Sequence, residues 1–209
     1  MQCLVTAGPA IEPLDEVRRL TNHSTGRLGC LLSDSLSRAG NSVTLLLSEF
    51  AQNHPKEKTT SIIKFNTSKD LGGKLCDASS EHVNAVFHVA AVSDFCVVDI
   101  RNANSMSPAK ERKISSRNGN LIVELKPAPK IIGYLRDYYP KAQIIGWKYE
   151  VDGNRESSIV KAHEQIHLYK TDACVVNGPA YGDGFGMITP NNSKHLKSSK
   201  ILLSELTQL

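Results

Sequence analysis

The sequence predicts an α/β fold with a doubly wound, mainly parallel sheet and helices on both of its faces. Apolar, β-rich runs alternate with helical patterns along most of the 209 residues. These runs are apolar almost throughout, which is typical of parallel strands that are covered on both faces. A chain of this length suits one domain, which we expect to span 1–209. Its ligands should bind beyond the carboxyl ends of the strands.

The predicted strands and helices follow one another in chain order. The strands are the runs at 3–7, 42–48, 61–65, 84–92, 121–126, 143–147 and 172–177. The helices are the patterns near 26–39, 68–80, 129–138, 155–168 and 198–208. The first helix has a clear end, because Gly40 follows Ala39 and glycine tolerates the left-handed conformation that commonly terminates helices.

Composition and charge exclude several classes of protein. The apolar fraction of 40% is ordinary for a globular protein, and a net charge of +4 is too small to indicate nucleic-acid binding. The five cysteines are scattered without C-x-x-C spacing, as in reduced cytosolic proteins. No N-terminal signal is visible, and no apolar run approaches the ~18 residues that a membrane span needs. We therefore expect a cytoplasmic protein with no nucleic-acid or membrane partner.

Two long polar segments interrupt the alternation of strands and helices. The first, 8–29, separates the first strand from the body of the first helix and reads GPAIEPLDEVRRLTNHSTGRLG. The second, 99–120, is rich in Lys, Arg, Ser and Asn and is longer than a loop that only connects two elements usually is. We interpret this second segment, called the flap below, as a cover over the site. The NGN that precedes 121–126 suits a turn into a hairpin strand.

The start of the first helix has the chemistry of a phosphate site. Free N–H groups and the positive end of the helix dipole face the preceding loop. Ser24 and Thr25 add hydroxyls, Gly26 permits close approach and Arg27 adds a cation, while Gly8 opens the loop. The alternative is that Ser24 or Thr25 only caps the helix. No G-x-G-x-x-G fingerprint follows the first strand, which disfavours a nicotinamide-dependent oxidoreductase.

The segment TAGPAIEPLDEVRRLTNHSTGRLG resembles the signature of phosphopantothenoylcysteine synthetases, the ligases of coenzyme A synthesis. Further segments resemble motifs of this family in the same order along the chain. They are AAVSDF (90–95), RKIS (112–115), LKPAPKII (125–132), GWKYE (146–150) and DACVVN (172–177). The resemblance spans nearly the whole chain and implies a stand-alone synthetase domain with a Rossmann-like sheet.

The resemblance implies a two-step ligation. 4′-Phosphopantothenate attacks a nucleoside triphosphate, which gives an acyl-nucleotidylate and pyrophosphate, and the amine of cysteine then displaces the nucleotide. The first step brings a carboxylate toward phosphates, so Mg²⁺ and cationic side chains must neutralise the like charges.

The resemblance also implies the roles of individual residues. Asn22 matches the asparagine that holds the activated acyl intermediate, since an amide can donate to an oxygen without becoming a nucleophile. Arg18 should pair with an anionic oxygen, and Lys113 of the flap should neutralise phosphates. Asp94, at the end of a strand, is the expected Mg²⁺ ligand. Without the resemblance, Asn22 reads as a turn residue, Asp94 as a cap and Lys113 as surface charge.

The identity of the nucleotide stays open between CTP and ATP. The expected nucleotide contacts beyond the phosphate site are Ala90, Ala128, Pro129, Lys130, Ile131, Trp147, Lys170 and Asn177. Trp147 replaces a phenylalanine of the family and keeps an apolar stacking face. Gln165 and Tyr169 stand where bacterial members have lysines that help to hold CTP, although Lys170 is one residue away. We therefore expect a preference for CTP that is weaker than in those relatives.

The resemblance implies two protein partners as well. Members of the family complete each active site with the flap of a second subunit, so we expect a homodimer. The family often fuses this domain behind a flavin-dependent decarboxylase. Because Met1 directly precedes the first strand, we expect that decarboxylase to be a separate protein of the same pathway.

Departures from the family pattern motivate a second hypothesis, from a different class. Ala10 replaces a threonine after the glycine turn, and Ser115 and Ser116 replace two lysines of the flap. A module that binds nucleotide or phosphopantothenate without ligase activity would tolerate these losses.

A third, remote hypothesis is a zinc protease. The sequence HEQIH (163–167) fits H-E-x-x-H on a predicted helix, where His163 and His167 would share one face and Glu164 would act as the base. Zinc needs a third protein ligand, for which Glu205 and His195 are downstream candidates, without the expected spacing. The setting between parallel strands also differs from that of such proteases.

Overall fold

The structure is a computed structural model that describes residues 1–80, 82–104, 108–109 and 111–209. Parts of the predicted flap, 105–107 and 110, lie outside the described residues. Among the described residues, no helix has the length and apolar character required to cross a membrane.

The central sheet confirms the predicted mainly parallel α/β architecture. It consists of β1 (Gln2–Ala7), β4 (Ser42–Ser48), β5 (Ser61–Phe65), β6 (Ala85–His88), β9 (Gln143–Tyr149), β10 (Ala173–Asn177), β11 (Phe185–Thr189) and β12 (Asn192–Leu196). The strand order is β12-β11-β10-β9-β6-β1-β4-β5. The pairs from β10 to β5 are parallel, and β11 and β12 add an antiparallel edge.

Two small antiparallel ribbons lie outside the central sheet. They are β2 (Ile11–Pro13) with β3 (Arg19–Thr21), and β7 (Phe95–Asn102) with β8 (Leu121–Pro127). The second ribbon confirms that 121–126 is a hairpin strand, and the flap is the connection at its tip. The first ribbon folds the segment 8–29 back on itself, which the sequence did not predict.

Helices cover both faces of the central sheet. They are α1 (Arg27–Arg38), α2 (Ser68–Asp77), α3 (Leu135–Tyr138), α4 (Arg155–Tyr169) and α5 (Ser199–Leu206). Leu32 of α1 and Leu202 of α5 pack in one buried cluster with Val5 of β1. Leu71 of α2 and Leu135 of α3 pack against the opposite face. Part of the predicted helix 129–138 is a 3₁₀-helix, Ile131–Tyr134, that leads into α3.

The topology contains a switch point between β1 and β6. The chain leaves β1 through α1 on one face to reach β4, and it enters β6 from α2 on the other face. The strands β1 and β6 are nevertheless neighbours in the sheet. Connections that diverge in this way leave a crevice at the carboxyl ends of the two strands, which is where ligands bind in such sheets.

Close packing of α1 on β1 sets the position of the start of that helix. A Cβ atom added at Gly29 would lie 2.5 Å from the Cβ atom of Ala7, so only glycine fits between helix and strand. Gly26, the N-cap residue, has φ of 75° and also lies against Gly8. The first turn of α1 therefore opens directly at the carboxyl end of β1.

We expect Gly29→Ala to lower the free energy of unfolding by about 1–3 kcal/mol, because the added methyl group must displace the helix or the strand. The matched control is Gly72→Ala in α2, where a Cβ atom would meet nothing within 4 Å. That change should raise stability by about 0.5–1 kcal/mol, since alanine favours helix. Urea denaturation of both variants measures the difference, and equal stabilities would contradict this account of the packing.

Candidate functional site

A cavity of about 790 Å³ lies at the carboxyl ends of β1, β6, β9 and β10. Its walls come from four segments, 22–29, 88–94, 129–132 and 147–150, together with residues of α4 and Asn177. The cavity therefore occupies the switch point and brings together most of the residues that the sequence analysis proposed.

Hydrogen bonds join the two loops on either side of the switch point. The backbone N–H of Ala10 donates to Ala91 O at 2.9 Å, and the N–H of Ala91 donates to Gly8 O at 3.0 Å. Above these bonds, the side-chain amide of Asn22 donates to Val92 O at 3.0 Å. Asn22 lines the cavity and is exposed, so its carboxamide is held in place and accessible to a ligand.

The start of α1 faces the same cavity. Gly26, the N-cap residue, makes no side-chain cap hydrogen bond, but the backbone N–H of Arg27 donates to Thr25 Oγ1 at 3.4 Å. Ser24, Thr25, Gly26 and Arg27 all line the cavity, as does Gly8. Thr25 therefore satisfies one backbone N–H of the first turn, so the alternative in which it caps the helix is met in part. The N–H groups of the first turn next to a cation also suit an anion, and this role stays a prediction.

Arg18 lies in an ion pair outside the cavity. Its guanidinium donates to the Asp15 carboxylate and, at 2.6 Å, to the carbonyl oxygen of Ile114. The Arg18 guanidinium also holds the pKa of the Asp15 carboxyl well below its usual range. Because Ile114 N donates back to Asp15 at 3.1 Å, this pair fastens the flap to the segment 8–29. The structure thus gives Arg18 a bracing contact, while its expected contact with a ligand stays a prediction.

Lys113 is exposed and does not line the cavity of its own chain. Its neighbours hold the flap in place, since Glu16 N donates to Arg112 O at 3.0 Å and Arg112 donates to the Glu16 carboxylate at 2.6 Å. The guanidinium of Arg19 lies 3.8 Å from the centre of the Phe50 ring.

Asp94 lies at the rim of the cavity in an ion pair with Lys130. Its side chain is 70% exposed, so the carboxylate is accessible. Mg²⁺ in nucleotide sites is commonly held by one or two carboxylates together with substrate phosphates and water. A single exposed carboxylate at the cavity fits that arrangement, and Mg²⁺ binding by Asp94 stays a prediction.

The expected base contacts divide between the two faces of the sheet. Ala90 and Ile131 lie with the α2–α3 cluster, and Tyr169 packs there from α4. Trp147 instead packs against the cluster of α1 and α5, on the opposite face. Its indole N–H is buried and has no hydrogen-bond partner among the described residues. Since a base on the Ala90 side lies across the sheet from this ring, stacking on Trp147 stays a prediction.

Two of the expected nucleotide contacts do not line the cavity. Ala128 is buried, and its N–H donates to Asp94 O at 2.9 Å. It therefore supports the loop between β6 and β7 that carries Asp94, which lies just before β7 and not at the end of a strand as expected. Lys170 is the exposed C-cap of α4 with φ of 53°, and its carbonyl oxygen accepts from Arg136. Pro129, Lys130, Ile131 and Asn177 do line the cavity.

The sequence analysis missed a buried histidine in the cavity. His88 ends β6, is 7% exposed and lines the cavity wall. Its Nδ1 atom lies 3.0 Å from Thr6 Oγ1, and that hydroxyl also accepts the N–H of Ala90 at 3.0 Å. Burial lowers the pKa of His88 to about 4, so the ring is neutral at physiological pH. The only signal in the sequence is a histidine at the end of an apolar strand, before AAVSDF.

A second missed group is the carboxylate of Glu150, at the end of β9. Its side chain is 12% exposed and pairs with Lys161 at 2.5 Å and with Lys148 at 3.4 Å. The backbone N–H of Glu150 donates to Asn177 O at 2.8 Å, which joins the ends of β9 and β10. Both Lys148 and Glu150 line the cavity, so its charged groups on this side are paired with each other.

The HEQIH sequence lies on α4, as the zinc hypothesis required, but its surroundings do not support a metal site. Gln165 within this segment is buried, and its amide donates to the Cys174 sulfur at 3.2 Å. Within the described ranges, no group of three or more His, Cys, Asp and Glu side chains is arranged to hold a metal ion.

Comparisons with known proteins agree with this geometry. The Coenzyme A biosynthesis bifunctional protein CoaBC of Thermococcus kodakarensis is 29% identical over 180 residues, which are 83% of this chain and 40% of that protein. The chain spans about half or less of the length of the curated relatives it matches.

Solved structures share the fold over the whole chain. The DNA/pantothenate metabolism flavoprotein from Streptococcus pneumoniae matches with a TM-score of 0.88 and 26% identity, covering 100% of this chain and 97% of that one. A Cab2 mutant in complex with phosphopantothenate-cysteine matches with a TM-score of 0.80 and 18% identity, covering 100% of this chain and 85% of that one.

The family described as the DNA/pantothenate metabolism flavoprotein C-terminal domain matches residues 1–206. This match covers nearly all of the 209 residues, so it does not depend on any single motif. The chain therefore belongs to the DNA/pantothenate metabolism flavoprotein C-terminal domain family.

Proposed function

We propose that the protein is a ligase that joins 4′-phosphopantothenate and cysteine through an acyl-nucleotidylate, in coenzyme A biosynthesis. The observation that carries this proposal is the position of Asn22, whose carboxamide is fixed over the switch point beside the start of α1. Membership of the family and the relatives named for coenzyme A biosynthesis support it. So does the similar fold of a Cab2 mutant that was crystallised with phosphopantothenate-cysteine.

The start of α1 is the anion-binding end of the proposed site. The N–H groups of its first turn, the hydroxyls of Ser24 and Thr25 and the guanidinium of Arg27 can surround a phosphate. The dipole of a helix favours negative charge at this end. We assign the phosphate of 4′-phosphopantothenate or of the nucleotide to this position.

Asn22 is the group that would hold the reacting acyl centre. Its amide carries two N–H groups, of which one donates to Val92 O. The second N–H can donate to the oxygen on which negative charge develops during acyl transfer. A donor that is already in place needs no reorganisation at that moment, which is why such groups commonly contribute a factor of about 10²–10³ to the rate.

Asp94, through a bound Mg²⁺ ion, and Lys130 would neutralise negative charge on the nucleoside triphosphate. With the nucleotide bound, Asp94 would hold Mg²⁺, which shields the negative charges of phosphate and attacking carboxylate. Lys130, now paired with Asp94, is then available to a phosphate oxygen. Mg²⁺ as the metal and CTP or ATP as the nucleotide are parts of this proposal. A cytosolic location also stays a prediction, and the five free cysteines support it.

The test of the ligase is pyrophosphate release from CTP and ATP with 4′-phosphopantothenate and Mg²⁺, with and without cysteine. We expect nucleotide-dependent release, and product formation only when cysteine is present. With both nucleotides at equal concentration, CTP should be used faster than ATP by a modest factor. Nucleotide binding without pyrophosphate release would contradict the ligase and leave a binding-only module, whereas a strong preference for ATP would contradict the expected nucleotide.

Asn22→Asp should lower kcat by about 10²–10³ while changing nucleotide affinity by less than about threefold. The carboxylate cannot donate a hydrogen bond, and it places negative charge beside an anionic centre. Steady-state kinetics and calorimetric titration of the nucleotide separate the two effects.

The matched control for Asn22 is Asn53→Asp. Asn53 also donates its amide to a backbone carbonyl, Thr25 O, at 3.1 Å, but it does not line the cavity. This variant should keep most of its activity. An equal loss of kcat and nucleotide affinity in Asn22→Asp would mean that Asn22 has only a structural role.

We also propose that the protein is a homodimer in which each flap acts on the partner's site. The β7–β8 ribbon carries Phe95, Val98, Ile122 and Leu125, which are between 43% and 51% exposed. A second copy of the chain would bury these apolar side chains. Because Lys113 does not line the cavity of its own chain, its predicted role requires the cavity of another subunit or a movement of the flap.

Mixing two inactive variants tests whether the flap acts on the partner's site. One variant is Asn22→Asp and the other is Lys113→Ala. If the flap acts in the partner's site, mixed dimers contain one intact site, and random mixing should restore about a quarter of the activity. If the flap acts in its own subunit, both sites of a mixed dimer stay defective and no activity returns. A monomeric mass in light scattering would contradict the dimer itself.

A further inference from the structure

One part of the cavity has a floor that is polar but uncharged. The imidazole of His88 and the amide of Gln165 form this floor, and we call them the neutral floor. His88 and Gly146 are direct neighbours on β6 and β9. The Gln165 amide lies over Gly146, where a Cβ atom would come within 2.4 Å of its nitrogen. The two polar groups therefore lie side by side at the base of the cavity.

The hydrogen bonds of Thr6 determine the tautomer of His88. The Thr6 hydroxyl accepts the N–H of Ala90, and among the described residues its one other hydrogen-bond partner is His88 Nδ1. A hydroxyl has one hydrogen to donate, and a buried donor without a partner is costly. The hydroxyl therefore donates to Nδ1, which leaves the proton of the neutral ring on Nε2. His88 thus offers an N–H donor in the cavity wall.

The amide of Gln165 is also held in place. Its nitrogen donates to the sulfur of Cys174, and burial raises the pKa of that thiol to about 12, so the sulfur stays neutral. Gln165 is 9% exposed and lines the cavity. Its carboxamide therefore adds a second fixed, uncharged polar group next to His88.

The surroundings of the neutral floor suit a flat, uncharged ring and do not suit a phosphate. Ala90, Ile131 and Ile132 supply apolar walls on this face of the sheet. The nearby lysines of the cavity, Lys130 and Lys148, are paired with carboxylates. The start of α1 and the guanidinium of Arg27 lie on the other face. Sites with apolar walls and a few fixed polar groups are typical of heteroaromatic ligands.

We propose that the neutral floor reads the base of the nucleotide, with His88 Nε2–H donating a hydrogen bond to an acceptor atom on the edge of that base. This inference rests on the proposed function, because it assigns the base of the same nucleoside triphosphate. It makes His88 a specificity-determining residue, since a base that presents a donor at this position leaves the N–H without a partner. Gln165 is the second reader, in the place where bacterial relatives were expected to use a lysine.

Calorimetric titration with CTP, ATP and 4′-phosphopantothenate tests this assignment in the full chain. His88→Ala should weaken binding of the preferred nucleotide about tenfold, as expected for one hydrogen bond. Binding of 4′-phosphopantothenate, which has no base, should change by less than about twofold. His88→Gln keeps an N–H donor near the position of Nε2, so it should retain nucleotide binding to within about threefold.

Spectroscopy of the wild-type protein supplies a readout that does not depend on folding of a variant. Long-range ¹H–¹⁵N spectra of His88 should show Nδ1 without a proton and Nε2 with one, and CTP should shift the Nε2 resonance. A shift caused by 4′-phosphopantothenate alone would instead place the pantothenate arm on the floor and overturn the assignment.

The outcomes distinguish this inference from the proposed function. Unchanged nucleotide affinity in His88→Ala, with pyrophosphate release intact, would overturn the role of His88 and leave the ligase standing. Equal losses for nucleotide and 4′-phosphopantothenate would show that His88 is only structural, which also overturns its role. A wild-type protein that binds neither CTP nor ATP would overturn the proposed function and this inference with it.

Discussion

The close approach of α1 to β1 is the contact on which the rest of the site depends. Gly29 leaves room for Ala7 where any side chain would collide, and Gly26 adopts a positive φ beside Gly8. The helix can therefore begin directly at the carboxyl end of β1 and present the N–H groups of its first turn to the cavity. A helix held farther out would carry those groups, and the positive end of its dipole, away from the switch point. Asn22 precedes this helix start in the same segment, and its amide is held in place by Val92 O.

The same contact explains the long polar insertion between the first strand and the first helix. In G-x-G-x-x-G loops, three glycines provide the tight turn, the approach to phosphate and the packing of helix on strand. Here Gly8, Gly26 and Gly29 take corresponding positions, but the segment 9–25 separates the first from the other two. The β2–β3 ribbon returns the chain to the helix start. The insertion thereby adds Asn22 and the contacts to the flap, which a short loop cannot supply.

Periodicity predicted the buried strands well because their side chains are apolar on both faces, and β4 matches its predicted bounds. The largely exposed edge strand β5 matches its predicted bounds as well. Periodicity extended β6 too far: the residues after His88 are apolar, but the N–H of Ala90 donates to Thr6 rather than continuing the ladder. The strands β11 and β12 and the ribbon β2–β3 are short or polar, so they carry little periodic signal in the sequence. Within the site, the resemblance to the family pointed to Asn22 and Asp94, and both line the cavity. It could not show that Trp147 lies across the sheet from Ala90, or that Arg18 donates to Ile114 O of the flap, because both depend on tertiary packing.

The paired charges at the rim have a consequence for the proposed reaction. Asp94 and Lys130 neutralise each other in the free protein, so neither charge needs a ligand to be stable. Both side chains are largely exposed, and exposed ion pairs contribute only about 0–1 kcal/mol. Exchanging this pair for a metal ion on Asp94 and a phosphate on Lys130 therefore costs little. By contrast, His88 and Gln165 are buried and already fixed by Thr6 and Cys174, so their geometry does not depend on the ligand. The charged rim of the cavity can therefore exchange partners, which suits phosphates and a metal ion whose positions change during the proposed reaction. The neutral floor is rigid, which suits the base of the nucleotide, because the base does not change during that reaction.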